Sequence, residues 1–163
     1  AKTMLIDNPK LTGANTSLFP PKRIILDADG SIFEKSNLNL FNNSSSEVIV
    51  FTKVKHENLP SHVTLITPKE FSIKEILSEI AKLGIQSIYV EGGPSIHDQF
   101  LASGYWDEVI TYISPILLGG NNTSSFTSNR ITSEKIQLNN TKITKLGEDI
   151  RISGRRVSQC LQD

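Results

Sequence analysis

The sequence predicts a mixed α/β domain whose early strands are joined by helical crossovers and whose last strands run antiparallel. Three observations predict it. Short β-branched apolar runs are separated by polar or proline-bearing segments. One stretch carries a complete amphipathic helical repeat with its own start and stop signals. The C-terminal part alternates apolar and polar residues, as a sheet with one solvated face does.

The first run, Lys22-Arg-Ile-Ile-Leu-Asp27, follows Pro20-Pro21 and reads as a buried strand. The polar segment after it, through Ser44-Ser45-Ser46, reads as loop. Glu47-Val-Ile-Val-Phe-Thr52 and Val63-Thr-Leu-Ile66 are short and nearly continuously apolar, which suits interior strands covered on both faces. Ser72-Ile-Lys-Glu75 has the form of a capping box, so a helix is expected to start there. Ile73, Ile76, Leu77, Ile80 and Leu83 then recur on one helical face, and Gly84 is placed to end it.

Ser87-Ile-Tyr-Val90 reads as a further strand, followed by Glu91-Gly92-Gly93-Pro94 and a second helix over Ser95 to Ala102 that stops at Gly104. Asp107 to Ile113 is another strand, and Pro115-Ile-Leu-Leu-Gly-Gly120 leads into a polar loop from Asn121 to Asn129. Lys135 to Val157 reads as a terminal antiparallel pair on a sheet edge. No internal repeat and no linker interrupts the 163 residues, so a single domain over 1–163 is expected.

Seventeen basic residues balance 17 acidic ones, and nothing in that balance recruits nucleic acid or an anionic membrane. Arg151, Arg155 and Arg156 lie near Glu148 and Asp149 and read as a solvated strand or tail. No apolar run approaches the roughly 20 residues that cross a bilayer, and Ala1-Lys2-Thr3-Met4 does not read as a signal peptide, so a cytoplasmic location is expected. The lone cysteine, Cys160, has no partner for an intrachain disulfide. His56, His62 and His97 are dispersed without metal-site spacing, and no metal is expected. His56 and His62 are expected in solvent, while His97 stays open because it lies on the helix after the glycines.

The chemistry concentrates at Tyr89-Val90-Glu91-Gly92-Gly93-Pro94-Ser95. Two glycines between a strand and a helix let backbone approach a ligand closely, and the helix start presents N–H groups suited to a pyrophosphate. An equal reading is a tight strand-to-helix turn with Ser95 as cap. Glu91, at the expected C-terminal end of an interior strand, repels a bare phosphate and suits a neutral donor such as a pyrimidine N–H or a hydroxyl. In Thr3-Met-Leu-Ile-Asp7-Asn-Pro9-Lys-Leu11-Thr12 a hydroxyl and a carboxylate precede a proline, a pattern that plain turns also show. No Rossmann fingerprint, phosphate-loop lysine, nucleophile elbow or zinc pattern is present.

Together these motifs resemble, in order and spacing, the reductase domain of the riboflavin-specific deaminase/reductase. The carriers are Thr3 to Thr12, Pro21 to Asp27, Val90-Glu-Gly-Gly93, Asp107-Glu108, Pro115 to Gly120 and Gly147-Glu-Asp-Ile-Arg151. The resemblance implies a dihydrofolate-reductase-like fold, a mixed sheet flanked by helices, here N-terminally truncated by a strand and a helix. It implies NADPH-dependent reduction of the ribosyl group of 5-amino-6-(5-phosphoribosylamino)uracil to a ribityl chain, with hydride delivered to C1′. Bifunctional members of the family also carry a zinc deaminase domain.

Carried over by position, Thr3, Asp7 and Ala28 would touch the cofactor, and Gly93, Pro94, Ser95, Ile96, His97, Asp98 and Gln99 would wrap its phosphates. Leu11 and Glu91 would contact the substrate, a pyrimidine ribose phosphate. No residue stands out as the catalytic acid. A homodimer is implied. Where the family carries an arginine this chain has Leu11-Thr-Gly-Ala14, so Lys10 or Lys22 would have to meet the substrate phosphate, or the preference differs. Two alternatives stay open: a related oxidoreductase for another heterocycle, and a non-catalytic dimerisation domain. NADPH binding separates the last from the others.

Overall fold

Strand β2 (Val48–Phe51) is four consecutive apolar residues, all buried, and it organises the first half of the chain. Val48 and Val50 point to one face with Met4, Ile25, Ile32, Leu38, Leu40 and Val63. Ile49 and Phe51 point to the other with Ile76 and Ile80. A strand apolar on both sides has to be covered on both sides, and here it is. The computed structural model describes residues 2–12, 20–117 and 135–157. The chain separates into two compact units, residues 1–89 and 90–163.

In the first unit, β1 (Arg23–Leu26), β2 and β3 (Val63–Ile66) form a parallel sheet in the order β1-β2-β3. The register is Arg23↔Val48↔Val63 through Leu26↔Phe51↔Ile66. Helix α1 (Lys2–Asp7) precedes the sheet, and α3 (Ile73–Lys82) follows it. Ser72 caps α3 as the sequence predicts, its Oγ accepting from Glu75 N at 3.4 Å, and Gly84 follows the end of the helix in the left-handed region at φ 74°.

The segment between β1 and β2, expected as loop, is partly helical. A 3-10 turn (Ser31–Glu34) and a short helix α2 (Asn39–Asn42) fold there because Ile32, Leu38 and Leu40, scattered among Asn and Ser, are driven into the core. β3, expected to be interior, is an edge among the described residues, with Thr64 exposed. The strand expected at Ser87–Val90 is not formed. The residues pair with no described strand and Tyr89 is 69% exposed, and without a ladder partner β propensity alone does not make a strand.

In the second unit, α4 (Pro94–Ser103) is followed by β4 (Glu108–Ile113), β5 (Asn139–Leu146) and β6 (Asp149–Arg155). The sheet is antiparallel, in the order β4-β6-β5. The predicted terminal pair is thus present, turning at Gly147-Glu148, and Gly104 ends α4 in the left-handed region as expected. At Gly154 a side chain is excluded, because a Cβ would lie 2.8 Å from that of Leu138. The Asn121–Asn129 loop, Ala14 and Cys160 lie outside the described residues.

Candidate functional site

Among the predicted site residues, Thr3, Asp7, Leu11 and Ala28 belong to the first unit, and Glu91 and Gly93 to Gln99 to the second. Thr3 and Asp7, read in the sequence as part of a turn, are four residues apart on α1, so hydroxyl and carboxylate share one helix face. Both are exposed, while Met4 anchors the helix in the core.

The chain leaves α1 through Asn8 at φ 44°, which asparagine tolerates, and reaches Leu11 at φ 51°, which leucine does not adopt easily. Leu11 packs partly buried against the first core cluster. Asn8 is doubly tied to α2: its Oδ1 accepts from Asn39 N at 2.7 Å, and its carbonyl accepts from Asn39 Nδ2 at 2.7 Å. Lys35 Nζ donates to the carbonyl of Leu5 at 3.0 Å. The Asp-Asn-Pro sequence signals the turn; the tie to Asn39 has no local signature and was not foreseen.

Ala28 sits just beyond β1, at the C-terminal end of the parallel sheet, where α/β proteins commonly place ligands. Its carbonyl accepts from Lys53 N at 3.2 Å, which sets the exposed Lys53 beside it in sequence beyond β2. Asp27 is 1% exposed; its carboxylate accepts from Ile32 N and from Ser31 Oγ, each at 3.1 Å. Burial pushes the Asp27 carboxyl above the usual carboxylate range, while exposed Asp29, which accepts from Ser31 N, is held below it. Sequence reasoning passed over both acids, treating them as strand end and loop.

In the second unit, Gly92 is left-handed at φ 38° and Gly93 is the N-cap of α4, with Pro94 in the first turn. No side chain caps this end. Ser95, one candidate cap, instead accepts from Gln99 Nε2 at 3.3 Å one turn on. The His97 ring lies over Gly92 so closely that a Cβ there would come 2.8 Å from Cδ2. Glu91 is exposed and follows residues that form no strand, so the strand-end setting argued for it from the sequence does not hold. His56 is exposed as expected, whereas His62 is half-buried with Nε2 3.2 Å from the Leu40 carbonyl. No group of three potential metal-ligating side chains occurs among the described residues, and no described helix is long and apolar enough to cross a membrane.

These features define a mixed α/β protein with a parallel sheet in one unit and an antiparallel sheet in the other. A family model described as the RibD C-terminal domain matches residues 1–152, and the chain belongs to that family. The riboflavin biosynthesis protein RibD of Bacillus amyloliquefaciens is 32% identical over 94% of this chain and 44% of its own length. A 2,5-diamino-6-ribosylamino-4(3H)-pyrimidinone 5′-phosphate reductase of Aquifex aeolicus is 27% identical over 74% of this chain and 57% of its own length. The structure of a deaminase/5-amino-6-(5-phosphoribosylamino)uracil reductase from Thermotoga maritima superposes with a TM-score of 0.77 at 28% identity, over 96% of this chain and 44% of that one. Its mixed α/β fold is the fold found here. The chain spans 44% of the length of the RibD proteins of Bacillus amyloliquefaciens and Aquifex aeolicus, less than half of each.

Proposed function

We propose that this chain is the NADPH-dependent reductase portion of a riboflavin-biosynthesis protein, reducing the ribosyl group of 5-amino-6-(5-phosphoribosylamino)uracil to ribityl. The observation that carries the reading is the family match over residues 1–152, within which relatives are named as reductases. When bound, NADPH supplies a hydride to the sugar C1′, and one proton completes the ribitylamino product.

The residues fit such a cofactor in one respect that geometry can test. The start of α4 carries no side-chain cap and is led by two glycines; Pro94 has no N–H and the Ile96 and His97 N–H groups bond to the Gly93 carbonyl, so the backbone N–H groups of Gly93 and Ser95 are the ones this reading turns toward a phosphate. In this reading Gly93 to Gln99 hold the pyrophosphate, and Thr3, Asp7 and Ala28 complete the cofactor contacts. Leu11 and Glu91 bind the pyrimidine ribose phosphate, Glu91 through a neutral donor. The protein's contribution is placement of the reacting atoms. The name of the Aquifex relative favours a second reading, in which the diaminopyrimidinone is the substrate instead. The same proposal makes the protein a cytoplasmic homodimer, to be checked by sedimentation.

The test is calorimetric titration of NADPH into this chain and into a form preceded by the N-terminal part of a full-length relative, each with and without Gly93→Asp. The expected result is binding by the parent, weakened about tenfold or more by a carboxylate placed against the phosphates. If neither parent form binds NADPH, the proposal fails. Turnover of the uracil and pyrimidinone substrates side by side then decides between the two readings.

A further inference from the structure

Thr3, Asp7 and Leu11 lie on a segment with little of its own to hold it. Helix α1 has six residues, well below the length at which an isolated helix persists in water. Two of the next four residues, Asn8 and Leu11, are left-handed. Besides the packing of Met4, Leu5 and Leu11 on the first core cluster, the polar links that fix the segment come from about thirty residues away. Lys35 Nζ donates to Leu5 O, Asn39 N donates to Asn8 Oδ1, and Asn39 Nδ2 donates to Asn8 O. Leu38 and Leu40, on either side of Asn39, are 1% and 0% exposed, so the donor end of this link is seated in the core.

We propose that Asn8 and Asn39 are positioning residues: their reciprocal hydrogen bonds set where α1 ends, and so where the Asp7 carboxylate and the Leu11 side chain stand toward cofactor and substrate. The inference rests on the reading of Thr3, Asp7 and Leu11 as binding residues. Its physical basis is that the link bonds both the side-chain acceptor and the main-chain carbonyl of one left-handed residue, which fixes its orientation as well as its place.

Four variants test it, in whichever form of the protein binds NADPH. Asn8→Gly keeps the left-handed backbone and removes the acceptor. Asn39→Ala removes the donor to Asn8 O while leaving Asn8 intact. Asn8→Asp keeps an acceptor for Asn39 N, gives up only the long 3.5 Å bond from Asn8 Nδ2 to the Asn37 carbonyl, and serves as the conservative rescue. Leu40→Val loosens the same core without touching the link.

The expected result is an NADPH dissociation constant raised about three- to tenfold in Asn8→Gly and Asn39→Ala, the scale of one lost hydrogen bond. Asn8→Asp and Leu40→Val stay within about twofold of the parent by the same scale. KM rises in the first two while kcat changes little. The proposal is overturned if Asn8→Gly and Asn39→Ala bind as the parent does, or if Leu40→Val weakens binding as much as they do, which would mark the effect as general loosening. If no form binds NADPH, the cofactor reading falls and the positioning role falls with it; intact parental binding with unresponsive variants removes the positioning role alone.

Discussion

Replacing Gly92 with alanine separates two strains that the turn before α4 avoids. The first is conformational: at φ 38° an L side chain crowds its own backbone, at a cost of about 1–2 kcal/mol. The second is steric: the new Cβ would stand 2.8 Å from His97 Cδ2 and 3.0 Å from Nε2, so the imidazole must rotate away. Moving a side chain off its preferred rotamer costs about 0.5–1.5 kcal/mol. Gly92→Ala should therefore destabilise by about 2–3 kcal/mol, and by about 1–2 kcal/mol when His97 is already alanine. Urea unfolding of parent, Gly92→Ala, His97→Ala and the double variant, followed by circular dichroism, gives the coupling directly. The single His97→Ala variant accounts for the bonding that His97 itself loses. A coupling near zero would refute the packing of His97 on the turn, and a cost below about 0.5 kcal/mol in both backgrounds would refute the left-handed assignment as well.

Other predictions concern the first unit. Because burial raises the Asp27 carboxyl, its folded form holds the proton more tightly than the unfolded chain does; the stability this contributes is full below about pH 4 and is lost as pH rises through the folded value. Asp27→Asn should remove that decline, which urea midpoints taken across mildly acidic pH would show. Leu40→Ala, at a fully buried site, should cost about 2–5 kcal/mol by calorimetry. A cost below 1 kcal/mol would mean that α2 is not seated in the core. Arg23 is 2% exposed, donates through Nη2 to the carbonyls of Asn43 and Ser46, and has its guanidinium pKa lowered by burial. Arg23→Met should leave both carbonyls without that donor and lose about 1–3 kcal/mol net, because removing the buried charge offsets part of the loss. A stabilised variant would show that the charge costs more than the carbonyl bonds return.

What could be read from the sequence follows from how local each signal is. The capping box at Ser72 and the apolar face of α3 are written within a dozen residues, and the structure has the helix where they place it. The apolar run at Val48–Phe51 likewise names a strand covered on both faces, and the alternation near the C-terminus names an antiparallel pair. Ile32, Leu38 and Leu40 were missed because polar neighbours hide three isolated apolar residues whose burial only the tertiary fold reveals. Ser87–Val90 failed for the opposite reason, since its composition is that of a strand but a strand also needs a partner. At the candidate site, Gly93 as a helix start was legible from Gly-Gly-Pro. Asn8 bonded to Asn39 and the raised Asp27 carboxyl were not, because both depend on which residues distant in sequence, or which apolar neighbours, the fold brings near.

The order β1-β2-β3 matches the order of synthesis, and this bears on how the first unit is made. Each strand, as it is completed, meets the exposed edge of the one before it, so no later segment must be inserted between two strands already paired. The β2-to-β3 connection is the shorter of the two and closes more easily by a few tenths of a kcal/mol. In the second unit β6 occupies the centre but follows both β4 and β5 in the chain, so β4 waits for the β5–β6 hairpin before it can pair. On a ribosome the parallel sheet can thus assemble vectorially, while the antiparallel sheet has to wait for β6, and during that interval the apolar residues Val109, Ile110 and Ile113 of β4 are without their strand partner.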